Sequence, residues 1–137
     1  MNGKLGERVV RKDAFDKATG KAQYVADIRA KDMHYGIVVR SPHHAAKILK
    51  IESDSALAVD GVVAVLTSED IPGEITYGAL IQDQPALAHK VVRHIGEPVA
   101  VVVAKTKRAA QKAKTLIEVT YEPLPSVQDP VQALEEG

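Results

Sequence analysis

Apolar positions along this chain fall into short blocks separated by polar turns. The clearest block is residues 99–104 (VAVVVA). It is continuous, rich in β-branched side chains and too short for a buried helix, so it predicts a strand covered on both faces. Thr106 is placed to cap a following helix. Ala109, Ala110, Ala113, Leu116 and Ile117 then share one narrow stripe of that helix. Glu122-Pro123-Leu124-Pro125 ends a second strand, because proline cannot continue the ladder. Residues 96–125 therefore predict strand, helix and strand, entered through the turn Gly96-Glu97-Pro98.

Upstream, residues 33–40 (MHYGIVVR) read as a strand ended by Ser41-Pro42, and residues 46–52 (AKILKIE) as another. Ser53 offers a cap for a short helix over 54–59, and Asp60-Gly61 stops it, with Gly61 free to take φ > 0. Residues 62–66 predict a third strand. Thr67 and Asp70 form a small capping arrangement over one turn, closed by Pro72-Gly73. Residues 74–90 lack periodicity and predict a long surface loop. Residues 91–95 suit an edge strand, and residues 130–136 can begin a short helix. Residues 1–32 are polar, with Gly3, Gly6 and Gly20 scattered through them, and read as an N-terminal arm anchored by Tyr24, Val25 and Ile28. The organisation expected is an arm over 1–32 and one mixed α/β (α+β) domain over 33–137, a small mixed sheet with short helices packed on it.

Composition narrows the function classes. The chain has 137 residues, enough for one domain that buries roughly two-thirds of its unfolded surface. One Phe, four Tyr and no Trp leave an aliphatic core. Lys plus Arg equals Asp plus Glu at 18 each, so no overall charge draws the chain to nucleic acid or an anionic membrane. No segment approaches the ~20 apolar residues of a spanning helix, and the first residues lack the apolar core of a secretory signal. Cysteine is absent, which excludes disulfides, thiolate-held clusters and a thiol nucleophile. A cytoplasmic protein is expected.

The candidate chemistry is sparse. His43 and His44 are adjacent in a turn, and neither has a partner at i+3 to i+5, the spacing of a helical zinc site. His89 and His94 straddle Val91-Val92. All four read as surface or hydrogen-bonded histidines. No phosphate-binding glycine motif is present, and Gly96 leads into a strand instead of a helix N-terminus. Lys105, Lys107, Arg108, Lys112 and Lys114 make one helix basic, with Lys90 and Arg93 upstream. No aromatic interleaves with them, so a solvated face or one meeting an acidic partner is favoured over nucleic acid. The carboxylate pairs Glu69-Asp70 and Glu135-Glu136 sit at a helix start and near the chain end. Ser41, Ser53 and Ser55 read as turn and cap residues, and no G-x-S-x-G elbow occurs. The residues thus assign no catalytic, cofactor-binding or metal-ligating side chain to this chain.

The order of motifs nevertheless resembles the α/β-hammerhead domain at the start of the molybdenum-binding subunit of xanthine dehydrogenases and aldehyde oxidases. Arg11 to Ile28 (RKDAFDKATGKAQYVADI) is similar to R-x-D-x-x-x-K-x-T-G-x-A-x-Y-x-x-D. Arg40-Ser41-Pro42 follows, then AAKILKIE at Ala45 to Glu52, DGVVAVLTSEDIPG at Asp60 to Gly73 and GEPVAVVVA at Gly96 to Ala104. Ala45 stands where the family often has His, and Glu52 where it has Asp. The resemblance implies a structural and interaction domain of a larger oxidoreductase, one that hydroxylates purines, other heteroaromatics or aldehydes with oxygen from water. It implies that molybdopterin, 2Fe-2S clusters and FAD belong to other parts of that enzyme, and that the partners are its molybdenum and iron–sulfur domains or subunits. It also implies that the chain is a piece of the longer enzyme, inactive alone. The 74–90 loop, with Leu80, Ile81 and Leu87 exposed on it, and the Arg40-Ser41-Pro42 turn would then include surface the parent covers. The alternative is a free-standing α/β module that binds a ligand or a protein.

Overall fold

The computed structural model describes Gly6 and residues 9–135; Gly3 and Glu136 lie outside them. The chain divides into two units, Met1–Met33 and His34–Gly137. In the first, α1 (Ala14–Ala18) starts from Asp13, and a single 3-10 turn spans Val25–Asp27. Asp13 pairs with Arg11 at 2.9 Å and Lys17 at 2.6 Å. Those two cations hold its carboxyl below the ordinary range, Arg11 contributing most. Tyr24, Val25 and Ile28, the expected anchors, are exposed. The 3-10 turn is closed by main-chain and Asp27 carboxylate bonds, so apolar burial is not what shapes this segment.

The second unit carries the strands, and every pairing in it is antiparallel. One sheet is three-stranded, with β7 (Pro98–Ala104) between β1 (Tyr35–Arg40) and β3 (Val62–Leu66). A second is built around β2 (Ala46–Glu52), with β6 (Val91–Val92) and β8 (Glu118–Pro123) beside it. A third pairs only β4 (Thr76–Tyr77) with β5 (Gln84–Pro85). The expected single sheet is therefore divided, and the strands on either side of the helix enter different sheets. The unpatterned 74–90 segment holds this two-stranded ribbon, and the expected 91–95 strand is only two residues long.

The centre of the fold is β7. Ala100, Val102 and Ala104 enter a core with Val39, Ala56 and the helix α3 (Lys107–Lys114). Val99 points into a second core with Ala46, Ala88 and Val92. Val92, Val99 and Val102 are fully buried, each worth about 1.5–3 kcal/mol of transfer free energy. Covering on both faces is what the uninterrupted apolar run predicts.

The Thr106 hydroxyl accepts the Ala109 N–H at 3.1 Å and caps α3. Ala109, Ala110 and Ala113 face the sheet and are buried. Their methyl groups let α3 lie close to β1 and β7. Gly61, with φ 85°, allows the turn before β3. A Cβ there would stand 3.5 Å from that of Ala109. The short helix α2 (Asp54–Leu57) buries Ala56 in the same core.

Candidate functional site

Two of the sequence motifs meet in space. Arg40, at the end of β1, donates from its guanidinium to the Gly96 carbonyl at 2.7 Å. The Ser41 N–H bonds the Glu97 carbonyl at 2.9 Å, and the Gly96 N–H bonds the Ser41 carbonyl at 2.8 Å. The buried Ser41 hydroxyl accepts the His43 N–H at 3.0 Å. Arg40-Ser41-Pro42 and Gly96-Glu97-Pro98 therefore form one knot of two turns. Gly96 has φ 84°, open to glycine and costly for most other residues.

Glu97 closes the knot. It is 4% exposed. Its carboxylate accepts the Arg93 N–H, and the Arg93 guanidinium stands 3.7 Å away. In the sequence Glu97 reads only as a turn residue, although its i, i+4 spacing from Arg93 signals the pair. Beside the knot, His43 sets its ring edge-on to Tyr121, with centroids 4.8 Å apart. Burial raises the Tyr121 phenol above its ordinary value, while the Ser41 side chain pulls the other way.

The remaining histidines are dispersed. His89 Nδ1 lies 3.2 Å from the Ser68 hydroxyl, and His94 Nδ1 lies 3.0 Å from the Ile95 carbonyl oxygen. Among the described residues no three His, Asp or Glu side chains converge where a metal could sit. Asp70 turns back to accept the Thr67 N–H at 2.8 Å, so it acts as a cap as expected. On α3 and the residue before its cap, Lys105, Lys107, Arg108, Lys112 and Lys114 are all exposed. None of them pairs with a described carboxylate.

Two surface features stand out. At the tip of the β4–β5 ribbon Leu80 is 99% and Ile81 73% exposed, whereas Leu87 is 8% exposed. Leu87 is thus corrected from surface to interior. The neighbouring Ala88 N–H bonds the Pro98 carbonyl at 2.7 Å and draws this stretch inward. The second feature is an open groove of about 250 Å³ between β2, the 3-10 turn Ser68–Asp70 and residues 88–90. Lys50, which lines it, is held above its ordinary pKa by the Glu52 carboxylate. No helix among the described residues is long and apolar enough to cross a membrane.

Residues 19–125 match the family described as aldehyde oxidase and xanthine dehydrogenase, a/b hammerhead domain. The chain belongs to this family. A probable xanthine dehydrogenase subunit of Bacillus subtilis is 38% identical over 125 residues, which are 91% of this chain and 17% of that protein. A nicotinate dehydrogenase large molybdopterin subunit of Eubacterium barkeri is 39% identical over 132 residues, 96% of this chain and 31% of that one. Among solved structures, reconstituted CO dehydrogenase from Oligotropha carboxidovorans superposes with a TM-score of 0.88 at 38% identity. That superposition covers 95% of this chain and 16% of the matched one. The hammerhead chain thus spans less than a third of the relatives it matches. The mixed α/β fold class expected from sequence is the one these structures share.

Proposed function

We infer that this chain is the structural and interaction part of a molybdenum-dependent hydroxylase. The parent oxidises a purine, another heteroaromatic or an aldehyde, with water as the oxygen source. The observation that carries this reading is the match over residues 19–125 to the hammerhead family. It is joined to relatives of which the chain forms 17% and 31%, one of them named a large molybdopterin subunit. We take residues 33–137 as the domain and residues 1–32 as its arm.

In this reading no catalytic, cofactor-binding or metal-ligating residue lies in the chain. The parent's molybdopterin, 2Fe-2S clusters and FAD are held by its other domains or subunits. Among the described residues no three His, Asp or Glu side chains are grouped to hold a metal ion. The chain's contribution is shape. The knot at Ser41 and Glu97 fixes how the two sheets are joined, and the exposed Leu80 and Ile81 dock against the parent's molybdenum or iron–sulfur parts. Exposed apolar tips of this kind mark contact surfaces. A cytoplasmic location goes with the same reading.

The test is an assay of the purified 137-residue chain with hypoxanthine or an aldehyde and an artificial electron acceptor. No turnover is expected. Turnover by the chain unaided would overturn the assignment. So would a complete gene product that contains no molybdenum domain.

A further inference from the structure

The groove beside β2 is created by a strand that stops early. β6 follows β2 for two register pairs only, Ala46 with Val92 and Lys47 with Val91. The last link is the Ile48 N–H to the Lys90 carbonyl at 2.7 Å. There the chain turns away. Lys90 has φ 64°, and the Val91 N–H bonds back to the His89 carbonyl at 2.7 Å. This is the rare three-residue turn with positive φ at its centre. A lysine keeps that backbone only where its surroundings impose it.

As a result β2 from Leu49 to Glu52 has β8 on one side and, among the described residues, no strand on the other. The facing wall is the 3-10 turn at Ser68, tied to His89 through its hydroxyl. Ile48, Ile51 and Ala88 give the groove an apolar lining. The register of β2 against β8 shifts between Ile48 and Lys50. Such a bulge re-aims the extra residue, and Leu49 is 59% exposed.

An unpaired strand edge in a part-apolar groove suits an extended polypeptide. Main-chain bonds supply affinity, and alternate side chains supply selection. The chain forms only 16–17% of two of its matched relatives, so most of a parent of that length lies outside it and can supply such a segment. A segment tethered in the same polypeptide acts at an effective concentration of about mM, which a second copy rarely reaches.

We propose that the free edge of β2 at Leu49–Glu52 accepts an extended segment of the same parent polypeptide, from outside residues 1–137, as an added strand facing Ser68 and His89. The segment places an apolar residue against Leu49 and an acidic one within reach of Lys90. This rests on the reading of the chain as one domain of a larger hydroxylase.

The experiment uses the complete parent protein. A photo-crosslinking residue replaces Leu49 in one variant and Leu80 in another, and the linked peptides are mapped by mass spectrometry. The Leu49 probe is expected to capture one segment outside residues 1–137 of the same polypeptide. In the unsubstituted protein, the Leu49–Glu52 amides turned away from β8 are expected to exchange at least about a hundredfold more slowly than a free edge. Capture within residues 1–137, capture of another polypeptide or no capture overturns the proposal, as does free-edge exchange. If Leu80 captures the parent and Leu49 does not, only the added strand is lost. If neither does, the docking role proposed for this domain falls with it.

Discussion

The Glu97 carboxylate accepts the backbone N–H of Arg93, and the Arg93 guanidinium lies further off at 3.7 Å. The main-chain donor is thus the principal partner of this buried acid. Glu97→Ala is expected to cost about 1.5–3 kcal/mol, the scale of a lost hydrogen bond to a charged group. Arg93→Ala keeps the N–H and removes only an exposed cation, so it should cost about 1 kcal/mol or less. Urea unfolding of both variants measures the difference. Equal losses would show that the ion pair, and not the main-chain bond, holds the turn.

Tyr121 gives a dependence on alkaline pH. Its folded pKa is raised above the ordinary 10.0 by burial. The neutral phenol therefore contributes stability that is fully present below pH 10. This contribution is lost as pH rises through the folded value. Thermal melts between about pH 8 and 11 should fall less steeply for Tyr121→Phe than for the parent sequence.

The ribbon tip depends on Gly78. A Cβ at that position would lie 1.8 Å from the Ile81 carbonyl oxygen. Gly78→Ala should force residues 76–85 into another arrangement. Because β4 and β5 pair only with each other, the disturbance should stay local. Amide chemical shifts are expected to change in that stretch and to hold in β7. Shifts across β7 would contradict the separation.

Tight packing of α3 predicts the opposite pattern. Ala110 is fully buried against β1 and β7. Ala110→Leu is expected to destabilise by about 1–3 kcal/mol through overpacking. Lys112→Ala, on the exposed face, should fall within about 0.5 kcal/mol of no effect. Thr106→Ala should cost about 1 kcal/mol through loss of the cap. Denaturant midpoints rank the three.

The legible parts of the chain were those where one local rule decides. The β-branched run of β7, the alanine stripe of α3 and the Thr67–Asp70 cap each carry their own signal. The ordered motifs pointed to the family, and the match over residues 19–125 shows it. What escaped was set at long range. Two-residue strands such as β4 and β5 are too short for periodicity. Leu87 is buried because its neighbour bonds Pro98, ten residues along the chain from Ala88. Glutamate is rarely buried without a partner, and only the folded turn, where the Arg93 N–H meets its carboxylate, shows why Glu97 is inside. The groove beside β2 depends on where β6 stops, which no pattern within β2 records.

The pairing of β2 with β8 joins Glu52 to Glu118. At about 5–20 residues per second, a ribosome needs on the order of 3–13 s to make the stretch between them. The strands of the sheet centred on β7 are complete by Ala104, before β8 has been synthesised. Throughout that interval β2 waits without its long partner. Nascent-chain quality control would meet this domain half-assembled, with one sheet ready and the other still missing its last strand.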